Sequence, residues 1–457
     1  MAAMRTIGHI SYNMRIASAA FLALLLTATA VAPLGAAEIF IAPNGDDANP
    51  GSREAPLASL SAAQNLVSPG DTVWIRGGEY PMRESMIAET RRGRAHVVLL
   101  NKSGEQERPI RYWAYENEQP VFDFSAVKPR GLRVHAFRVT GSWLHLKGIT
   151  VTGVQVTITG HTQSICFENA GDRNIFERLT MRDGQAIGFW LGRGSHNLVL
   201  NCDACRNHDF TSEGGRGGNV DGFGFHAPKG SVANVFRGCR AWFNSDDGFD
   251  FISSGEAVTA ENCWSFYNGY STEFKSLGDG SGFKAGGYAR QPESRIPRPI
   301  PRHVVRNCLA VGNKAAGFYA NHHPGGLDFL HNTAYRNNPN FNMLGRDLQN
   351  PERDVAGYGH LLRNNLGFRG RRELTNLDEA ASDSASNSFN SSLTITAEDF
   401  AGLDEADLVK PREPGGDLPR VPFLRLAAGS DLIDRGVDAG VPFTGAAPDL
   451  GAFEFEE

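Results

Sequence analysis

The chain has 457 residues, and its 45 Lys and Arg against 51 Asp and Glu give a formal net charge of -6 with histidine neutral. That balance excludes a globally basic surface for nucleic acid, so an anionic ligand must be held by local cations or by a bound metal. With 52 Gly and 23 Pro the chain is turn-dense, which argues against helical repeats.

At the start, Arg5 and Arg15 precede an apolar run from Ala17 to Val31, followed by Pro33-Leu-Gly-Ala-Ala37 and Glu38. This is the pattern of a secretory signal peptide over residues 1–37, cut near Ala37. The run is short for a membrane anchor and no other segment is apolar enough to span a bilayer. A secreted or periplasmic monomer without an anchor is expected. From residue 38 to about 130, Phe40 to Asp47 and Pro69 to Tyr80 read as short strands joined by Gly turns at the opening of a solenoid. Asp46-Asp47 reads as a solvated turn rather than a cation site.

The middle of the chain repeats. Gly-Phe pairs begin at Gly188, Gly222, Gly248, Gly282 and Gly317, with separations of 34, 26, 34 and 35 by subtraction. A second series, Cys202, Cys239, Cys263 and Cys308, is followed five residues later by Asn207, Asn244, Asn268 and Asn313. Asn332 and Asn337 form a further copy with Asn in place of Cys. Between the turns lie short strand-like segments such as Leu144 to Thr152 and Val304 to Val311. Propeller blades need about 40 residues or more. The shorter period predicts an all-β, single-domain right-handed parallel β-helix over residues 38–457, with opening coils, stacked asparagine and cysteine ladders, and a C-terminal capping segment. Cys202 and Cys205 have half the spacing of a zinc site but no second pair completes it.

Aligned on Gly-Phe, Asp221 and Asp247 hold equivalent places in adjacent coils, and Asp250 and Lys284 do so in the next pair. Asp221, Asp246, Asp247 and Asp250 should therefore meet on one face, with Lys284 about one rung further along. Four carboxylates so close repel unless a cation joins them, and an all-oxygen set favours Ca²⁺. A solvated acidic edge that discourages strand pairing is the alternative. Beside bare carboxylates a lysine pKa rises, whereas a bound cation reverses that effect and frees a neutral amine at alkaline pH. Gly278 to Lys284 lacks the adjacent Gly-Lys and the following Ser or Thr of a phosphate loop. A metal that chelates carboxylate beside a lysine base suits β-elimination from a polyuronate, with Lys284 taking the C5 proton. Hydrolysis would need two opposed carboxyl groups with one kept protonated.

Asn219-Val-Asp-Gly-Phe223, Asn234 to Phe251 with its Asn-Ser-Asp-Asp-Gly-Phe-Asp string, and Gly282-Phe-Lys284 resemble the core of the family 9 polysaccharide lyases, exported β-helix pectate lyases. The resemblance is strongest over about residues 200 to 320. It implies a calcium site at Asp221, Asp246, Asp247 and Asp250, Lys284 as catalytic base, and polygalacturonate as substrate. One departure stands out: His226 occupies a place where the resemblance leads one to expect lysine, which points towards a pectin-like polymer other than plain polygalacturonate. In the repeat frame His226, Arg216, Lys275, Arg290 and Lys314 are the candidate substrate-binding residues, with Lys229 nearby. Trp190 and Tyr319 fall at the Lys284-equivalent place of other coils, as sugar platforms or packing. A lyase or epimerase on rhamnogalacturonan or alginate, and a non-catalytic β-helix adhesin or carbohydrate-binding protein, are the competing readings.

Overall fold

A computed structural model describes residues 35–456. The signal peptide expected over residues 1–37 falls almost wholly outside them. Short strands wind into coils that place three long sheets side by side. The first sheet holds 12 strands from Glu38–Ile41 to Asp383–Ala385, the second 10 from Gly78–Pro81 to Leu366–Phe368, and the third 11 from Glu89–Arg91 to Leu374–Thr375. The pairings within them are parallel except for an opening hairpin, Glu89–Arg91 against Arg94–Leu100. This is the β-helix that the repeat predicts.

The register explains why the Gly-Phe pair recurs. Phe189, Phe223, Phe249, Phe283, Phe318 and Phe341 pair in succession on the third sheet. Their rings stack inside the solenoid, for example Phe249 on Phe283 at 4.7 Å and Phe283 on Phe318 at 5.0 Å between centroids. Each such ring contributes roughly 1.5–3 kcal/mol by burial. The glycine before each of the first five rings lets the neighbouring coil approach, while Asn340 precedes Phe341. A Cβ at Gly222 would lie 2.7 Å from the Gly248 carbonyl oxygen, and one at Gly282 would lie 2.9 Å from the Asn313 amide nitrogen.

Those amides form the expected ladder. Asn207, Asn244, Asn268, Asn313 and Asn337 each donate from Nδ2 to the Oδ1 of the next, at 3.0–3.1 Å as far as Asn337 and 2.9 Å from Asn337 to Asn340. The cysteine series is a buried stack of free thiols, and it continues as Asn332, Asn365 and Asn387. A third ladder, Asn174, Asn197 and Asn234, lies outside the repeat read from sequence. Asn201, Asn262, Asn307 and Asn364, each just before a ladder residue, turn the chain from first to second sheet with φ of 51–56°, a conformation asparagine tolerates better than most residues.

Three stretches differ from the sequence reading. Residues 60–66 are a helix, Leu60–Leu66, with Ser59 Oγ accepting from the Ala62 amide and Leu60 and Ala63 buried. Asp47 anchors the turn before it, accepting from the Ala58 and Ser59 amides at 2.9 Å. The polar stretch Arg369 to Asn390, in which no alternation of apolar residues marks a strand, supplies the strands Leu374–Thr375 and Asp383–Ala385. The C-terminal segment reaches the last coils, where Val437 donates to Asn364, but it first runs back along the second sheet. There Arg412 pairs with Asp203 at 2.6 Å and Arg240 donates to the Lys410 carbonyl at 2.9 Å. Phe400, Leu408, Phe423 and Leu426 cover the outer side chains of that sheet, among them Trp264, Leu309 and Phe368.

Asn268 is saturated: it donates to Ala241, Ser265 and Asn313 and accepts from Asn244. Asn268→Ala should strand the Asn244 amide and the Ala241 carbonyl, costing about 2–3 kcal/mol. A clear fall in the urea midpoint would register this, and an unchanged midpoint would show the ladder to be dispensable.

Candidate active site

The third sheet carries two outward rows that converge at its middle. Gly224, Asp250, Lys284 and Tyr319 pair in succession along one, and the same register sets Asp221 beside Asp247 along the other. The Asp247 amide donates to Asp221 Oδ1 at 3.2 Å. One oxygen from each of Asp221, Asp247 and Asp250 lies within 4.8 Å of the others, and all three residues are buried. Asp246 stands beside this trio, its Oδ1 accepting the Asp279 amide at 2.7 Å. The structure therefore brings three of the four expected ligands together around one point and turns the fourth towards the neighbouring loop.

Lys284 reaches into the same point, with Nζ 3.1 Å from Asp247 Oδ2 and 3.3 Å from Asp250 Oδ2. Burial opposes its charge, but Asp247, Asp250, Asp221 and Asp246 outweigh that and raise its pKa. The carboxyl groups suffer in turn. Burial first, and repulsion from their neighbours second, push Asp221 and Asp246 well up. Burial also raises Asp247 against the pull of Lys284. Backbone amides hold the cluster in place: Ser281 donates to Asp247 Oδ1 at 2.6 Å and Ile252 to Asp250 Oδ1 at 2.8 Å. Asp247 Oδ2 accepts no well-formed hydrogen bond. One lysine charge against four carboxylates leaves a deficit, and this oxygen set fits a hard divalent cation.

An open groove of about 780 Å³ runs from Asp247 and Lys284 past Tyr319 and Asn342 to Arg346. Of the cations expected near it, Arg290 and Lys314 line the wall. Lys314 is largely committed, donating to the Leu277 carbonyl at 2.9 Å and to that of Gly278. Arg290 is exposed and pairs with Glu352 at 2.7 Å. Arg216 and Lys275 stand exposed on the loops around 209–219 and 270–277, outside this groove; both loops are insertions, where a repeat frame gives no position. Lys229 faces elsewhere, donating to the Arg298 carbonyl. His226 lies on the other side of Asp250, its ring stacked on Trp190 at 4.0 Å and 21°. Burial lowers its pKa against the pull of Asp250.

Arg346 is the groove residue that sequence reasoning missed. It ends the strand Leu344–Arg346, which pairs antiparallel with Asp354–Ala356 in a hairpin inserted between coils. It is mostly buried and pairs with Asp354 at 3.2 Å. A basic residue outside the repeat frame offers no signal of its own.

A family model described as "Pel9A-like, right handed beta helix region" matches residues 39–365. The chain belongs to this Pel9A-like β-helix family. It is 34% identical over 420 residues to pectate lyase L of Dickeya dadantii, covering 91% of this chain and 90% of the relative. Among solved structures, a rhamnogalacturonan lyase is 45% identical with a TM-score of 0.83, over 86% of this chain and 97% of that one. The pectate lyase Pel9A structure is 33% identical with a TM-score of 0.74, over 92% and 96%. The protein is thus a polysaccharide lyase, and the Asp-Lys cluster lies in the part of the chain that carries the family likeness.

The raised carboxyl pKa values make a signed prediction. A group whose pKa is raised by folding stabilises the protein below its unfolded value, about 3.9 for Asp, and that contribution is lost as pH rises. In chelator at neutral pH, Asp247→Asn should melt above the wild type by about 1–2 °C, the scale on which ~1 kcal/mol shows in a long chain. The gap should close towards pH 4, and calcium should reverse the order. Thermal scans at several pH values check this; a variant that melts lower in chelator at neutral pH would contradict it.

Proposed function

We propose that the protein is an exported, calcium-dependent lyase that cuts a galacturonate-containing pectic backbone by β-elimination, with Lys284 as the base. The observation that carries this reading is the Lys284 amine lying 3.1–3.3 Å from two carboxylates of a buried acidic trio at the head of a long open groove. Asp221, Asp247 and Asp250 would hold the cation, with Asp246 beside them. When bound, the cation supplies positive charge for the uronate carboxylate and for the enolate-like charge that grows on it.

The chain's own groups do the rest. Lys284 takes the C5 proton onto Nζ, the C5–H electron pair becomes the C4=C5 double bond, and the C4–O bond breaks to release the glycan, whose oxygen is protonated from solvent. The lysine must be neutral for this, and bare carboxylates hold it charged. The base is therefore available only when their charge is offset, and activity should rise towards alkaline pH. Tyr319, Asn342 and Arg346 extend the groove beyond the reacting sugar.

Two backbones suit this chemistry. The 45% identity to a rhamnogalacturonan lyase and the histidine at position 226 support the alternating rhamnose–galacturonate backbone as the first substrate. The similarity to pectate lyases supports polygalacturonate as the second. Export rests on the N-terminal pattern of residues 1–37, and amino-terminal sequencing of exported protein should begin near Glu38.

The test is the ultraviolet absorbance of new unsaturated uronate ends on rhamnogalacturonan backbone, polygalacturonate and alginate at alkaline pH. Lys284→Ala should lose about 10²–10⁴-fold in rate, the usual contribution of a positioned base. Chelator should silence the wild type and calcium restore it. A Lys284→Ala enzyme that keeps wild-type rates would remove the lysine from the chemistry, and a wild type indifferent to chelator would remove the cation.

A further inference from the structure

The outward row through Lys284 continues on the other side of the acidic trio, where its character changes. In register it reads Arg138, Glu168, Trp190, Gly224, Asp250, Lys284 and Tyr319. Neighbouring strands lie about 4.8 Å apart, close to the advance per sugar of an extended glycan. A chain laid along this row therefore meets roughly one rung per sugar.

Next to Asp250 the row has no side chain of its own, because the position is Gly224. Trp190 from the rung behind leans across it: a Cβ at Gly224 would lie 2.9 Å from Trp190 Cε3 and 3.5 Å from His226 Cδ2. The imidazole stacks face to face on the indole, with 4.0 Å between centroids and 21° between planes, so the two rings form one aromatic block beside Asp250. Both residues are only partly buried. The rung beyond is Glu168, whose oxygens are occupied by Arg138 and, at 2.5 Å, by His135. Its charge is already balanced, and it offers nothing to an anion. Arginine and lysine side chains line the groove on the opposite side, beyond Tyr319.

We propose that the Trp190–His226 surface is a binding subsite for a neutral sugar, a 6-deoxyhexose such as rhamnose, next to the galacturonate that reacts. This rests on the lyase reading above and deepens it. An aromatic face gains from covering the apolar C–H and methyl surface of a deoxy sugar. A galacturonate carboxylate placed there would lose water without gaining a cation, which disfavours it. Selection thus comes as much from rejecting the charged sugar as from binding the neutral one. In an alternating backbone both neighbours of each galacturonate are neutral, so the argument holds for either direction of the chain.

The experiment compares kcat/KM on rhamnogalacturonan backbone and on polygalacturonate for the wild type, Trp190→Ala, Trp190→Phe and His226→Lys, with calcium present. Trp190→Ala should lose about tenfold or more on the alternating backbone, while Trp190→Phe keeps most of it, since it retains an aromatic ring for the sugar to cover. His226→Lys should shift the ratio of the two substrates towards polygalacturonate by about tenfold. An active wild type whose ratio is unmoved by His226→Lys and Trp190→Ala overturns the subsite and leaves the lyase reading standing. So does a wild type that cuts only polygalacturonate. A wild type silent on both polymers overturns the lyase reading, and the subsite with it.

Discussion

Everything in this molecule depends on the fixed register of parallel strands between one coil and the next. Backbone hydrogen bonds set the spacing, and buried phenylalanine rings and asparagine amides allow only one sliding position. A shift of a single residue would put Phe249 outside and an aspartate inside. The coils vary in length through their loops, but Phe223, Phe249 and Phe283 stay stacked. The interior is therefore the ruler against which surface groups are placed.

The acidic trio shows what that ruler is used for. Asp221 and Asp247 come from successive coils and Asp250 from the strand that follows Asp247, so no local segment could assemble them. Their carboxyl groups are buried close together at a cost that Lys284 offsets only in part. Such a cluster is tolerated because the rungs on either side hold the backbone still, through amides such as those of Ser281 and Ile252. On the proposed reading the lysine's position has two uses in sequence: it neutralises the cluster when no cation is there, and it would act in proton transfer once one is. Stability and chemistry are thus set against each other at a single amine.

Much of this was legible in the sequence, for a physical reason. Stacked residues must be of the same kind, so the Gly-Phe and Cys-to-Asn spacings exposed the coils, and the alignment put Asp221 beside Asp247 and Asp250 beside Lys284. The second sheet was harder to read. Its later strands, such as Leu309–Val311 and Leu366–Phe368, are buried on both faces because the C-terminal segment covers Trp264, Leu309 and Phe368, and a strand buried on both sides loses its alternation. The third asparagine ladder escaped because Asn174, Asn197 and Asn234 recur without a companion motif. Arg346 escaped because it rides on an inserted hairpin. The alignment did place Asp246 beside the trio, and the direction of its carboxylate follows from the Asp279 amide that Oδ1 accepts. Repeat arithmetic gives the row a residue stands in, and says nothing of where its side chain turns.

The returning C-terminal segment has a mechanical consequence. A bare solenoid is a linear array in which each coil feels only its neighbours, so a break can start anywhere and spread by single steps. Arg412 on Asp203, Phe400 on Phe368 and Val437 on Asn364 tie the last coils of this array to a middle one across the coils that carry Lys284. Pulled from either end, those coils are loaded in parallel with the tie and are shielded until it detaches, so fraying that begins at the last coil has to unfasten the strap before it can reach the rungs of the acidic trio.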